Sequence, residues 1–217
     1  MHDFQKLNAI ENRYIIEIYT MKYSSLLFGI VLLLSTLPSF LVNDWNYIST
    51  KDGIDIYSKH DVEDRNWTKL VATINAKPAE VMTYASDVTK FNEWIYACSE
   101  AKILDKGENT SVYYYVTDLP FPLTDRDAVI KREVFQSGTN SYTSRSTLTT
   151  RHSVASKLVR LEGFEAIWFF DALPNAKTKL TYELFANPGG NIPTWVVEKF
   201  SSNGPFRSMQ NLKAHFE

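Results

Sequence analysis

From Cys98 to Gly189 the chain is almost one uninterrupted run of strand-like alternation, and one amphipathic stretch follows it. That order constrains the fold more than any other feature. Alternation of apolar and polar residues builds a sheet with one face to bury. Cys98 to Asp105 turns at Lys106-Gly107, and "TSVYYYVTDL" follows. "LPFPLTDRDAVIKREVF" then turns through Gln136 to Asn140 into "SYTSRSTLTTR". The last pair, "KLVRLEGFEAIWFFDAL" and "TKLTYELFANPG", turns at Pro174-Asn175. Strands joined by turns this short run antiparallel, and an antiparallel sheet with one apolar face needs a cover. The terminal stretch supplies it, with Trp195, Val196, Phe200, Met209, Leu212 and Phe216 at helical spacing and a bend at Gly204-Pro205.

Upstream, "WNYISTKDGIDIYSKHD" gives two strands around a Lys51-Asp52-Gly53 turn, an Asp-Gly hairpin signal. "TKLVATINA" is a third strand. The period then changes: Val81, Tyr84, Ala85, Val88 and Phe91 follow helical spacing behind Pro78, which predicts a helix or a broken pair of helices. Strands, short helices, an antiparallel meander and a long terminal helix make an α+β fold in one domain. Aromatic residues are 14% of the 217-residue chain, enough to line a cavity between a curved sheet and its covering helix.

Several function classes fall away. The formal net charge of -2 gives no basic excess, so no nucleic-acid partner is expected. The lone Cys98 forbids an internal disulfide, and no two of His2, His60, His152 and His215 stand at metal-ligand spacing. No cofactor or metal is expected. No Gly-x-Ser-x-Gly elbow, His-Glu-x-x-His motif or phosphate-cradling glycine loop occurs, so no catalytic residue is assigned. Residues 1–43 are set apart from the fold, which begins at residue 44. Met21 reads as the better initiator: Lys22 precedes a nearly unbroken apolar run from Leu26, followed by small residues and Pro38. This has the form of a secretory signal peptide, which implies export to a periplasmic or extracellular space. The run through Val42 is about 17 residues, the lower limit for spanning a bilayer, so an uncleaved anchor over 26–42 is the alternative.

The chemically awkward residues are two arginines. Arg126 and Arg132 fall on the same alternate face as Ala128, Ile130 and Val134, which is the apolar face. Arg126, near the turn, is expected to cap carbonyls or to pair with Asp125 or Asp127. Arg132 lies deeper. An inward guanidinium keeps its proton and needs a carboxylate, carbonyls, water or a ligand head group. Two readings stay open: the polar end of a cavity, or a buried structural ion pair. Tyr113, Tyr115, Trp168, Phe170, Tyr182, Trp195 and Phe200 are the candidate cavity walls. Trp45 and Trp94 are assigned to supporting the helices, His60 and His152 to the surface, and Cys98 to the core.

Four segments, "DGIDIY", "LPFPLTDRD", "LVRLEGFEAIWFF" and "LTYELFANPGGNIPTWVV", occur in an order and spacing that resemble the START (StAR-related lipid-transfer) domain family, over roughly 44–217. The resemblance implies the helix-grip fold of the Bet v 1-like superfamily, a curved antiparallel sheet wrapped around the C-terminal helix with an internal hydrophobic tunnel. It implies a monomer that binds a lipid or other apolar small molecule without chemistry, with transient membrane contact. Some members place an arginine at the step of Arg132, paired with an acid on a neighbouring strand. Here "TSVYYYVTDL" carries no acid in its middle, and Asp118 is near its end; Glu162, Glu165 and Glu183 are the remaining candidates. Related helix-grip proteins include polyketide cyclases and aromatases, so an enzyme is the second reading and a ligand-binding sensor the third.

Overall fold

The structure is a computed structural model that describes residues 45–190, 192, 193, 196 and 203–217. Ten described strands form one sheet. They are β1 (Asn46–Lys51), β2 (Ile54–His60), β3 (Asn66–Ile74), β4 (Cys98–Lys106), β5 (Thr110–Thr117), β6 (Arg126–Gly138), β7 (Ser141–Leu148), β8 (Val159–Arg160), β9 (Gly163–Leu173) and β10 (Lys177–Asn187). Their order is β1-β2-β3-β10-β9-β7-β6-β5-β4, with β8 added in parallel at the start of β6. Helices α1 (Pro78–Ser86) and α2 (Phe91–Trp94), joined by a 3-10 turn over Val88–Lys90, fall between β3 and β4; α3 (Gly204–His215) follows the sheet. This is the α+β helix-grip architecture anticipated above.

The local chemistry accounts for these elements. Asp52 and Gly53 both take positive φ (51° and 71°), the backbone that a two-residue hairpin turn requires. Pro78 opens α1, where a missing N–H costs nothing. The Asp87 carboxylate accepts from Thr89 N at 3.0 Å and starts the 3-10 turn that breaks the helical stretch. "KLVRLEGFEAIWFFDAL" is not one strand. Leu161 N bonds to Asp127 O and Glu162 N to Asn187 O, so the chain leaves β6 and joins β10 between β8 and β9. Gly163 marks that join, because a Cβ there would sit 2.9 Å from the Phe185 ring.

Strand pairing lines up inward side chains in rows across the sheet. Ser111, Arg132, Ser146, Ala166, Leu184 and Thr68 form one row. The next is Val134, Ser144, Trp168, Tyr182 and Leu70. Helix α3 covers part of this face with Phe206, Met209 and Leu212, at i, i+3 and i+6; the last two are fully buried. Burying each such side chain stabilises the fold by roughly 1.5–3 kcal/mol relative to leaving it in water. Polar contacts fix its position: Ser208 Oγ accepts from Tyr96 N at 3.0 Å, and Asn211 Nδ2 donates to Trp94 O at 3.0 Å.

The outer face is not wholly wet. Val112, Tyr114, Val116 and Val129 form a second apolar cluster under Val154 and Leu158. Asp127 is buried there, receiving Arg160 Nε at 2.7 Å and the Tyr114 hydroxyl at 3.0 Å. Burial alone would raise its pKa, but these hydrogen bonds, with one from Ser156, outweigh it and hold the carboxyl below its usual range.

Candidate ligand cavity

A cavity of about 190 Å³ lies between the inward face of the sheet, the segment from α1 to Tyr96, and the start of α3. Tyr113, Tyr115, Trp168 and Tyr182, all predicted as walls, line it, as does Phe170. Trp195 and Phe200 lie outside the described residues. The rings are interlocked: Trp168 stacks on Tyr182 at 3.8 Å, Trp94 meets Trp168 edge-on at 5.9 Å, and Phe91 meets Tyr113 edge-on at 5.3 Å. Burial pushes the phenols of Tyr113, Tyr115 and Tyr182 up, so they stay neutral throughout the physiological range. Among the described lining residues none is Asp, Glu, His, Cys or Lys, and the ionised ones are Arg126 and Arg132.

The two arginines stand six residues apart on one face of β6, about 20 Å. Arg126 is 5% exposed, and each of its guanidinium nitrogens donates to a carbonyl: Nε to Pro188 O at 2.7 Å, Nη2 to Gly189 O at 3.2 Å, and Nη1 to Thr124 O. Gly189 and Gly190 adopt positive φ (65° and 67°), which lets the segment after β10 bend there. Of the two expectations, carbonyl capping holds. Asp125 instead accepts from Leu119 N at 2.9 Å, and Asp127 faces the outer side with Arg160.

Arg132 is 6% exposed, and its Nη2 donates to Ser86 O in the last turn of α1 and to Ser111 Oγ at 3.3 Å. Its guanidinium carbon lies 5.6 Å from the Phe91 ring centre and 5.2 Å from that of Tyr113. Nε and Nη1 have no hydrogen-bond partner among the described residues. Burial lowers the proton affinity of the group, and Tyr113 and Asp87 oppose that shift. The side chain stays charged. The predicted acidic partners are elsewhere: Glu165 bonds Arg145 at 2.8 Å, Glu162 accepts from Gly190 N at 3.3 Å, and Glu183 interacts with Lys59 and Lys69 on the outer face. Among the described residues no ion pair forms at Arg132, so the ion-pair reading finds no support there, and the cation is held by a helix carbonyl, a hydroxyl and two rings.

Other assignments shift as well. Trp94 lines the cavity besides bracing the helices. Among the described residues Trp45 is placed against the sheet rather than a helix; its ring lies under Lys59 and Lys69, at 4.5 and 4.4 Å. His152 is half-buried rather than exposed, and His60 is exposed. Cys98 is half-buried, and burial pushes its thiol up to about 12, which leaves it a poor nucleophile. Among the described residues no group of three His, Cys, Asp or Glu is placed to hold a metal ion. Ser144 and Ser146 were not singled out in the sequence, though their spacing in "SYTSRSTL" puts both on the inward face, opposite Trp168 and Arg132 respectively.

The chain is similar to known proteins over this whole region. It is 27% identical to an uncharacterized protein of Pseudomonas aeruginosa over 187 residues, covering 82% of this chain and 89% of that one. It is 24% identical to human phosphatidylcholine transfer protein over 174 residues, covering 77% of this chain and 81% of that one. Among solved structures, a StAR-related lipid transfer protein fragment from Xanthomonas axonopodis superposes with a TM-score of 0.73 at 21% identity, covering 80% of this chain and 99% of that one. The Zhui aromatase/cyclase from Streptomyces shares the fold more loosely, with a TM-score of 0.52 at 11% identity over 69% of this chain and 92% of that one. The START domain family model matches residues 42–217, the stretch that holds the sheet, the covering helix and the cavity between them, and the chain belongs to that family.

Proposed function

We propose that this protein binds a lipid in the cavity, with an anionic or hydrogen-bonding head at Arg132, and carries it between membranes. The observation that carries the reading is the state of Arg132: among the described residues this buried cation has no carboxylate bonded to it and two guanidinium nitrogens unpartnered. A phosphate or carboxylate placed there would receive charge-assisted hydrogen bonds in a site removed from bulk water. The aromatic and aliphatic walls accept the tail. Carriage is favoured over catalysis because the described lining residues offer no carboxylate, imidazole or thiol, and the phenols beside the cavity are held neutral.

A volume of about 190 Å³ lies below the roughly 300–1,000 Å³ usual for ligand pockets, so loading requires α3 or a neighbouring loop to move. The turn between β5 and β6 supports brief contact with a bilayer: Leu119 lines the cavity while Phe121 is 96% exposed. We place the carrier outside the cytoplasm on the strength of the segment that begins at Met21, which lies outside the described residues, and take it as a monomer from its family resemblance. The test is transfer of a fluorescent phospholipid between donor and acceptor vesicles. Catalytic amounts of protein accelerate transfer if the proposal holds, and Arg132→Met removes most of the acceleration. No acceleration by a folded wild-type protein overturns the carrier reading.

A further inference from the structure

Two polar groups on residues that line the cavity are left over when Arg132 has been given a role. Trp94 Nε1 and Ser144 Oγ are both buried and have no hydrogen-bond partner among the described residues, and both residues line the cavity. Trp94 is 3% exposed and Ser144 2%. Both residues are placed against Trp168. Ser144 pairs directly with Trp168 across β7 and β9, and the Trp94 ring meets the Trp168 ring edge-on at 5.9 Å. A buried donor without a partner is costly, which is why such groups are rare and usually answer to a ligand or water.

The geometry points to a second polar position in the cavity, one that recognises the ester or amide carbonyl of an acyl chain whose head is at Arg132. The inference rests on the lipid-binding reading above. An indole N–H can only donate, so the matching ligand atom is an acceptor; the serine hydroxyl can donate to the same atom. A carbonyl oxygen has two lone pairs and accepts both. A hydrocarbon tail offers neither, and an ether oxygen is a weaker acceptor than a carbonyl. The spacing fits the same ligand class. Ser146 is directly opposite Arg132, and Ser144 is two residues further along the same face of β7. That step is about 7 Å, close to the reach of a glycerol unit between a phosphate and an ester carbonyl. The favoured ligand is thus an O-acyl lipid with an anionic head, rather than its ether analogue or a simple long-chain hydrocarbon.

The test compares two probes on the full chain, 1-oleoyl-glycerophosphate and its ether analogue with an oleyl chain, titrated against intrinsic tryptophan fluorescence. Wild type is expected to prefer the ester by about tenfold, the size of one or two net hydrogen bonds. Trp94→Phe keeps the ring and removes the N–H, and Ser144→Ala removes the hydroxyl. Each narrows the preference, and the double variant abolishes it while its circular dichroism stays that of the wild type, which shows that it is folded. Equal binding of ester and ether by wild type overturns this inference and leaves lipid binding standing. A preference that survives in the double variant overturns it too. Binding of neither probe overturns the lipid-binding reading for this ligand class and the inference with it.

Discussion

Arg126 and Arg132 share a strand, a face and nearly the same burial, yet the fold uses them differently. At one end of β6 every guanidinium nitrogen of Arg126 is taken by a backbone carbonyl, and the side chain ties the turn before β6 to the segment after β10. At the middle of the strand Arg132 meets, among the described residues, Ser86 O and Ser111 Oγ through one nitrogen, with two aromatic faces beside it. A buried cation whose every nitrogen donates to the fold acts as a structural strut. One with whole nitrogens left over beside an apolar cavity is free to meet a ligand. Burial alone does not distinguish the two, and the hydrogen-bond inventory does.

The comparison breaks first at Arg126. Arg126→Ala leaves the carbonyls of Thr124, Pro188 and Gly189 without their partner and is expected to destabilise the protein by about 3 kcal/mol or more, since hydrogen bonds to charged groups contribute roughly 1.5–3 kcal/mol each. Urea unfolding reads this as a lower midpoint at unchanged slope. A stability within error of wild type would remove the distinction drawn here.

Arg132→Met should do the reverse. Replacing a buried cation that has no ion pair among the described residues with an apolar side chain of similar length leaves stability within about 1 kcal/mol of wild type or raises it. Affinity for an anionic lipid falls by about 10- to 100-fold, the loss of a charge-assisted contact. The two effects are read on one preparation, by unfolding and by lipid titration. A large stability loss with unchanged affinity would make Arg132 a second strut.

A third prediction concerns Asp127, on the opposite face of the same strand. Its carboxyl is held below the usual range by Arg160, Ser156 and Tyr114 despite burial. A depressed pKa stabilises the fold above the unfolded value, about 3.9, and that contribution is lost as pH falls through the folded value. Wild-type stability is therefore expected to drop below about pH 4. Asp127→Asn flattens that part of the curve, which unfolding at a series of pH values would show.

The smallest effect is expected at Trp94. Trp94→Phe removes an N–H that has no partner among the described residues, so the lipid-free protein should melt at the wild-type temperature or slightly above it. A clear drop would mean that the N–H has a structural partner.

The inward placement of Arg132 was legible in the sequence, because strict alternation from Arg126 to Val134 leaves no other register for a buried strand. Its partner was not. Ser86 O is a main-chain carbonyl at the end of α1, and no residue type announces which helix end a tertiary fold will bring to a given side chain. For the same reason Glu162, Glu165 and Glu183 were plausible acids by strand order, yet two of them face the outer side with Arg145, Lys59 and Lys69. The break between β8 and β9 was hidden because apolar residues continue across it and only Gly163 marks the change of partner. Tyr113, Tyr115, Trp168 and Tyr182, expected as walls from alternation and ring size, line the cavity. Trp94 braces the helices as expected, but its place in the cavity wall was hidden, because helical spacing shows which side is apolar, not whether that side meets core or cavity.

The central claim, that the cavity carries a lipid held at Arg132, is tested most directly by native mass spectrometry with lipid extraction, comparing wild type and Arg132→Met purified from the same bacterial host. The account predicts a stoichiometric apolar passenger on wild type, with an anionic or hydrogen-bonding head, and its loss from most of the variant. A wild-type mass that is apo, and stays apo after incubation with mixed membrane lipids, would contradict it.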